Sequence, residues 1–284
     1  FPVIPHKFKL LKAFKNKSWD IVLKIISPFM KINPFSKDDL FYKSFYFGEE
    51  TKLQAELGFD QLITNEALKY LEKYRKSKKK KPFCLYLPFA YPHPPYKVEE
   101  PYFSMYKRDE IPSVFPPETE GIINYNDKPE FMKTLRDLYG LDQLNDKDFR
   151  EIRAVYYGMI SKLDNQIGQI LSKLKDVKEY DNSIITLFSD HGDYAGSYGL
   201  TEKWPTGMHD CLLKVPFILK IPGIPPISKN INELTETIDI FPTLLDLAKI
   251  DTKYTHFGKS LLPVIKGDVK KHRDAVFAEV FWRH

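Results

Sequence analysis

Two groups of polar side chains follow apolar runs that predict strands, and both could take part in ligand chemistry. His93 follows the run Phe83–Phe89, and Asp190 with His191 follows Ser183–Phe188. In open α/β sheets, ligands bind beyond the carboxyl ends of the strands. A carboxylate beside an imidazole can offer one oxygen and one nitrogen to the same divalent cation. The spacing predicts a metal-binding loop at 190–191, although Asp190 could instead cap a turn and both histidines could be ordinary polar residues.

A lysine follows this predicted metal loop on a stretch that is punctuated by glycine. Lys203 ends the segment Gly196–Lys203, which returns toward the edge of the predicted sheet. A metal-bound anion needs a cationic partner that does not compete for the metal, and an ammonium group supplies such a mobile point charge. Lys203 is therefore a candidate anion-binding residue. In a chain this rich in lysine, a solvated loop lysine is the alternative.

These residues need a sheet that alternates with helices to position them. Apolar residues at helical spacing predict helices over 59–74 with a start near Asn65, over 146–174 with a cap at Asp146 or Asp148, and over 238–248. Continuous apolar runs predict buried strands at 83–89, 183–188, 216–221 and 275–280. A short helix near 19–26 and a long surface excursion over 97–145 complete the pattern. The alternation predicts an α/β sheet covered on both faces.

Composition excludes several classes of protein. Of the 284 residues, 43% are hydrophobic and 29% are charged, which excludes wholesale disorder. No apolar run approaches the roughly 20 residues that cross a bilayer, so we expect no transmembrane segment. The net charge of +5 is small and comes without a recognition motif, so we expect no nucleic-acid partner. Two cysteines exclude a disulfide-rich scaffold and leave the compartment open, whether cytoplasmic, periplasmic or secreted.

Several motifs in one order resemble the sulfatase family, from about Phe59 to the end of the chain. They are a strand with a Pro-His-x-Pro turn (85–96), a helix with Tyr, Ile and Asp (157–164), a Ser-Asp-His-Gly-Asp loop that leads to a lysine (189–203), Val-Pro-Phe-Ile (215–218), Thr-Ile-Asp-Ile-Phe-Pro-Thr-Leu-Leu (237–245) and Gly-Lys-Ser-Leu-Leu-Pro (258–263). The resemblance implies the alkaline-phosphatase-like fold, a mixed, largely parallel sheet flanked by helices. We expect an irregular segment at 1–45, a partial α/β core at 46–250 and the start of a smaller C-terminal subdomain at 251–284.

The resemblance also implies roles for single residues. By motif match, Asp190 and His191 are ligands of a divalent metal, which in this family is usually Ca²⁺, although many members carry Asn where this chain has His191. His93 matches the histidine that contacts the sulfate ester and can protonate the leaving oxygen. Lys203 matches the lysine that binds sulfate, and we place His209 on the substrate side. The implied substrate is a sulfate ester of a small molecule or a glycan.

The family nucleophile is a formylglycine made from the first residue of Cys/Ser-x-Pro-x-Arg, and this motif is absent from the sequence. Cys84 and Cys211 both stand in other contexts. We therefore expect this chain to begin downstream of the nucleophile segment. Because two protein ligands are too few for tight binding of a hard cation, we expect the 284 residues alone to bind metal weakly and to turn over no sulfate ester.

Three functions remain open at this point. The first is a sulfuric ester hydrolase that a formylglycine outside this chain completes. The second is a phosphonate or phosphodiester hydrolase of the same superfamily, because sulfate and phosphate esters present similar tetrahedral anions. The third is a non-catalytic sulfatase-like protein. The oligomeric state stays open, and the remaining histidines are predicted to be ordinary surface residues: His6, His256, His272 and His284.

Overall fold

The chain divides by its packing into two compact units in the computed structural model, which describes residues 34–114, 125, 128–204, 207–225, 231–251 and 254–279. Unit 1 comprises the described residues up to Asn182 together with Asp193–Glu202. Unit 2 comprises Ser183–Gly192 and the described residues from Lys203 onward. The helix predicted near 19–26 lies outside the described residues. The ranges 1–45, 46–250 and 251–284 stay predictions.

Unit 1 is built from helices around a short pair of parallel strands. Strand β1 spans Tyr46–Glu49 and pairs with β2, Tyr96–Val98, with Tyr46 opposite Tyr96. The helices are α1 (Lys52–Glu56), α2 (Phe59–Lys76), α3 (Glu130–Leu138) and α4 (Asp146–Asp176), with single 3-10 turns at Arg108–Glu110, Leu141–Gln143 and Ser197–Gly199. Helix α4 packs against both α2 and β2, so it forms the centre of this unit.

Helix α4 confirms the helix predicted over 146–174, and its first turn shows why it begins where it does. Asn145 accepts the Lys147 N–H at 2.9 Å, and the Asp148 carboxylate accepts the Asn145 N–H at 2.8 Å. This reciprocal capping box satisfies backbone donors that the helix leaves unpaired. The cap is therefore Asn145 and not the predicted Asp146 or Asp148. The buried face follows helical spacing through seven positions: Ile152, Val155, Met159, Lys162, Gln166, Ile170 and Leu174.

Three other predictions for unit 1 are wrong. Helix α2 begins at Phe59 and not near Asn65, because the Thr64 hydroxyl donates to the Asp60 carbonyl inside the helix and does not cap it. The predicted excursion over 97–145 contains the end of β2 and all of α3. The run 83–89 forms no strand: among the described residues, the paired strands are β1 with β2 and β3 with β4 (below), and Tyr86 is 75% exposed.

Unit 2 contains an antiparallel pair and three helices. Strand β3 (Ile185–Phe188) runs against β4 (Phe217–Lys220), with Phe188 opposite Phe217. The helices are α5 (Asp210–Leu213), α6 (Ile240–Ala248) and α7 (Leu262–Lys266), and a 3-10 turn at Thr237–Asp239 leads into α6. These elements confirm the strands predicted at 183–188 and 216–221 and the helix at 238–248. The strands are partly exposed, however, and Ile218 is 60% exposed.

The C-terminal strand predicted at 275–280 is wrong over its described part. Residues 275–279 have no regular secondary structure, and Val280 lies outside the described residues. Among the described residues, β1 and β2 form a parallel two-stranded sheet, and β3 and β4 form a separate antiparallel one. Within the described ranges, every helix falls short of the length and apolarity needed to cross a membrane.

Candidate functional site

The turn that carries His93 is fixed from inside unit 1 by a buried carboxylate. Asp60, in the first turn of α2, is 5% exposed. Its two oxygens accept the backbone N–H groups of Ala90 and Tyr91 at 2.7 and 2.8 Å. Burial raises the pKa of Asp60, while these two N–H groups and the nearby Lys162 ammonium oppose that rise. The chain just before His93 is therefore held by the start of α2.

A network of buried charges supports the same turn. The Tyr91 hydroxyl donates to Glu50 at 2.9 Å, and the Lys162 ammonium lies 5.0 Å from the centre of the Tyr91 ring. Lys162 is 4% exposed and donates to Glu99 at 2.7 Å, with Glu50 at 3.5 Å. Lys97 lies 2.9 Å from Glu50. Each buried charge thus has a partner of opposite sign, which is the condition for tolerating it inside a protein.

The His93 ring itself is about half exposed and has an oxygen near each nitrogen. Its Nδ1 lies 2.7 Å from the Pro94 carbonyl oxygen, and its Nε2 lies 3.4 Å from the Glu202 carboxylate. A carbonyl oxygen can only accept, so Nδ1 carries a proton. Nε2 is then the nitrogen that can exchange a proton with a bound ligand. Nε2 can donate a proton to a ligand only when it is itself protonated.

A second buried group lies behind Glu202. The Tyr96 hydroxyl accepts the Glu202 N–H at 2.9 Å and donates to Asp193 at 2.7 Å. Asp193 also accepts the Ala195 N–H at 2.7 Å. Burial raises the pKa of Asp193, although the Tyr96 hydroxyl and the Ala195 N–H favour its charged form. Burial, with the adjacent Asp193 charge, also raises the pKa of Tyr96 well above its usual value, so this phenol stays protonated.

The predicted metal loop lies in unit 2, directly after β3. The Asp190 carboxylate accepts the His191 backbone N–H at 3.0 Å, and its oxygen lies 3.7 Å from His191 Nε2. His191 Nδ1 is 2.8 Å from the Gly192 carbonyl oxygen, which fixes the proton on Nδ1 and leaves the lone pair on Nε2. The loop also packs closely: a Cβ at Gly192 would lie 1.9 Å from the carbonyl oxygen of Cys211. Only glycine fits there without a backbone shift.

The described residues supply only part of a metal site. In the described part of the chain, no three His, Cys, Asp or Glu side chains are grouped so that they could hold an ion. Asp190 is largely exposed, and with His191 it offers one oxygen and one nitrogen. Ca²⁺ takes six to eight oxygen ligands. These two residues therefore do not by themselves fit a resident Ca²⁺.

The five predicted site residues fall in different units. His93 belongs to unit 1, whereas Asp190, His191, Lys203 and His209 belong to unit 2. Lys203 and His209 are both partly buried, and His209 is the residue that precedes α5. The roles assigned to these five residues stay predictions.

Sequence reasoning missed the residues that hold His93. Asp193 and Glu202 stand within the motif 189–203, one just after the Asp-His-Gly and the other just before the lysine, so their positions were a usable indication. Asp60 and Lys162 gave none, because an acid in a first helical turn and a lysine on a helix are both common on surfaces.

One histidine was assigned wrongly. The structure places the His272 side chain at 4% exposure, with Nε2 3.0 Å from the buried Asp239 carboxylate. Arg273 pairs with the same carboxylate, and the Lys259 N–H donates to it at 2.7 Å. Burial would raise the pKa of Asp239, but Arg273 and the backbone donors hold it well below its usual value. His256 is exposed as predicted, and His6 and His284 lie outside the described residues.

Comparison with known proteins connects this arrangement to one family. The sulfatase family model matches residues 28–250. The multifunctional alkaline phosphatase superfamily protein PehA of Trinickia caryophylli is 29% identical over 227 residues, which cover 76% of this chain and 43% of the relative. An arylsulfatase of Clostridium perfringens is 31% identical over 220 residues, covering 76% and 44%. The crystal structure of the phosphonate monoester hydrolase of Agrobacterium radiobacter matches with a TM-score of 0.59 at 26% identity, covering 75% and 43%.

These matches show how much of each relative the chain covers, which fold it has and which family it belongs to. The chain spans less than half of the length of the relatives named above. The structural match confirms the expected α/β fold of the alkaline-phosphatase-like type, present in part. Because the family model covers well over half of the 284 residues, the chain belongs to the sulfatase family.

Proposed function

We propose that this chain carries the proton donor and the metal loop of a sulfuric ester hydrolase, and that a formylglycine nucleophile outside these 284 residues completes the site. The observation that carries the proposal is the His93 turn. Its imidazole has Nδ1 fixed by a carbonyl oxygen, its Nε2 faces a carboxylate, and its backbone is held by buried groups. A surface histidine without a role would not need this support.

The proposed chemistry of the chain's own residues is proton donation and anion binding. When the S–O bond of a sulfate ester breaks, negative charge develops on the leaving oxygen. His93, when both ring nitrogens are protonated, donates its Nε2 proton to that oxygen and is left as a neutral imidazole with its proton on Nδ1, so the leaving group departs as a neutral alcohol. Lys203 neutralises the sulfuryl oxygens as a point charge. Asp190 and His191 would hold a divalent metal as two of its ligands, and that metal would stabilise negative charge on the ester.

A phosphonate or phosphodiester hydrolase is the second candidate, and one finding favours it. The Agrobacterium enzyme that this chain resembles is a phosphonate monoester hydrolase. Sulfate and phosphonate monoesters are both tetrahedral anions, and a histidine acid with a lysine suits either. The arylsulfatase match, at 31% identity, is the reason for placing the sulfate ester first.

The test is a comparison of substrates on the gene product that includes the sequence upstream of Phe1. We expect 4-nitrophenyl sulfate to be cleaved with a higher kcat/KM than the 4-nitrophenyl ester of phenylphosphonate or bis(4-nitrophenyl) phosphate. His93→Asn should lower kcat by about 10²-fold or more. His256→Asn, which alters an exposed histidine, is the matched control and should leave kcat unchanged. A preference for the phosphonate ester would favour the second candidate, and no turnover of any ester would favour a non-catalytic protein.

The isolated 284-residue chain provides a separate test. We expect no turnover and only weak Ca²⁺ binding, because two ligands cannot replace the hydration shell of a hard cation. Isothermal titration calorimetry with CaCl₂ measures this directly. Submicromolar affinity for the isolated chain would show that it holds further ligands and would contradict the proposed division of the site.

A further inference from the structure

We propose that Glu202 is the positioning residue for His93: its carboxylate orients the ring and keeps a proton on Nε2, ready for donation. The inference rests on the proposed function, because it assigns Glu202 a part in the same proton transfer. Glu202 does not touch the substrate in this account. It acts only through His93.

The first support is the complementarity between the ring and its two oxygen neighbours. The Pro94 carbonyl oxygen, 2.7 Å from Nδ1, and the Glu202 carboxylate, 3.4 Å from Nε2, are both acceptors. An imidazole offers two donors only when both nitrogens are protonated. Each ring nitrogen therefore faces an acceptor, and a proton on Nε2 would have the Glu202 carboxylate as its neighbour.

The second support is the length of the contact between Nε2 and Glu202. At 3.4 Å it exceeds the 2.7–3.2 Å of a strong N–H···O hydrogen bond. The carboxylate is thus close enough to favour the charged ring electrostatically but does not hold the proton in a short bond. The ring is also partly exposed, with 45% of its side-chain surface accessible, so a ligand can approach it. A proton donor needs both properties.

The third support is the way in which the fold holds Glu202. Its backbone N–H donates to the buried Tyr96 hydroxyl at 2.9 Å, and its carbonyl oxygen accepts the Tyr194 N–H at 3.1 Å. Its side chain is only 13% exposed. Its φ of +68° is a left-handed conformation that residues other than glycine adopt rarely. The protein therefore fixes the backbone of Glu202 through both its N–H and its carbonyl oxygen.

The carboxylates that interact with His93 include those of Glu202 and Asp193, both in unit 1. Asp193 is occupied by the Tyr96 hydroxyl and the Ala195 N–H at 2.7 Å each. Glu202 is the carboxylate that lies beside Nε2.

The experiment is an NMR titration of the His93 ring in the full 284-residue chain, with the signal assigned by its loss in His93→Gln. In Glu202→Gln, we expect the pH midpoint of this signal to fall by about 0.2–0.7 unit, the size expected for a partly exposed ion pair. Glu202→Asp, which keeps the charge, should recover part of that fall. Glu66→Gln removes an equal charge from an exposed ion pair with Lys69 on α2 and should leave the midpoint unchanged.

A midpoint in Glu202→Gln that moves no further than in Glu66→Gln would overturn the inference. Far-UV circular dichroism establishes that the variants are folded. If Glu202→Gln does not fold, Glu202→Asp decides: its shorter side chain should lower the midpoint by a smaller amount, and an unchanged midpoint there would overturn the inference.

A kinetic readout on the gene product that includes the upstream sequence separates this inference from the proposed function. Glu202→Gln should lower kcat about tenfold for phenyl sulfate, with little change in KM, and less for 4-nitrophenyl sulfate, whose better leaving group needs less protonation. A wild-type protein without sulfatase turnover but with the NMR effect would refute the proposed function alone. Turnover in the wild type, with equal kcat and an equal midpoint in Glu202→Gln, would refute the positioning role alone.

Discussion

Lys162 offers the sharpest test of how the interior of unit 1 supports the candidate site. Its ammonium is buried on α4 and lies between Glu99, at 2.7 Å, and Glu50, at 3.5 Å. Lys162→Met keeps most of the side-chain length and removes the charge. Glu99 and Glu50 would then lose this ammonium, and Glu50 would keep that of Lys97. We expect the folded state to lose stability, because a buried carboxylate without a partner is costly.

The magnitude follows from what each carboxylate retains. Removing one partner of a buried ion pair costs about 3–5 kcal/mol. Glu50 keeps Lys97 at 2.9 Å and the Tyr91 hydroxyl, whereas Glu99 loses the ammonium that is bonded to it. The Glu99 side chain is 15% exposed, so water recovers part of its solvation. We therefore expect a loss of about 2–3 kcal/mol, which lowers the urea midpoint by about 1 M.

The assay is urea denaturation followed by far-UV circular dichroism. Helices α2 and α4, with 18 and 31 residues, both lie in unit 1, so the helical signal reports chiefly on that unit. Lys69→Met is the matched control, because Lys69 is 71% exposed and its ion pair with Glu66 should be worth less than about 0.5 kcal/mol. The double variant Lys162→Met/Glu99→Gln should recover about 1–2 kcal/mol. If Lys162→Met costs no more than Lys69→Met, buried charge does not stabilise this unit.

Three further predictions concern single interior groups. Asp60→Asn should cost about 1–3 kcal/mol by urea denaturation, because an amide accepts only one of the two N–H groups that the carboxylate accepts. Since burial raises the folded-state pKa of Asp60, the wild type should also lose stability as the pH rises through that pKa, and the variant should lose less. Gly192→Ala should lower the stability of unit 2 by about 1–3 kcal/mol, measured by hydrogen exchange of the amides of residues 210–213. Gly168→Ala, with open space around the added methyl group, should be neutral or slightly stabilising. Asp239→Asn should cost about 3 kcal/mol at neutral pH in hydrogen exchange over 240–248. The depressed pKa of Asp239 makes that loss constant above about pH 4 and smaller below it, and an equal loss at all pH values would contradict the assignment.

The helices were the part of the fold that the sequence predicted best, and α4 shows both the strength and the limit of the method. Apolar residues at helical spacing located the helix, because a long buried face needs them. The same reasoning missed Lys162 and Gln166, which occupy buried positions of that face. Polar side chains are placed on the surface by default. Their burial depends on Glu99 and on Gln61, whose side chains lie on other elements and leave no trace in the local pattern.

The strands were predicted less well, and 83–89 shows why. An apolar run predicts that the segment has a hydrophobic environment, but a strand also needs a neighbour to pair with. Segments 185–188 and 217–220 pair with each other as β3 and β4. Segment 83–89 has no paired strand beside it among the described residues. Pairing joins distant parts of a chain. The pattern of a short stretch of sequence therefore does not indicate which strand it pairs with.

In the candidate site, too, residues in short motifs could be predicted from the sequence, whereas residues distant from them in sequence could not. His93, Asp190, His191 and Lys203 could be proposed from the sequence because each stands in a short motif. The groups that give His93 its orientation are Asp60, at the start of α2, and Glu202, at the end of a loop that closes on Tyr96. Neither is adjacent to His93 in sequence. A histidine becomes a directed proton donor only when such groups fix its backbone and one ring nitrogen, so substitutions at Asp60 or Glu202 should alter proton transfer without any contact with the substrate.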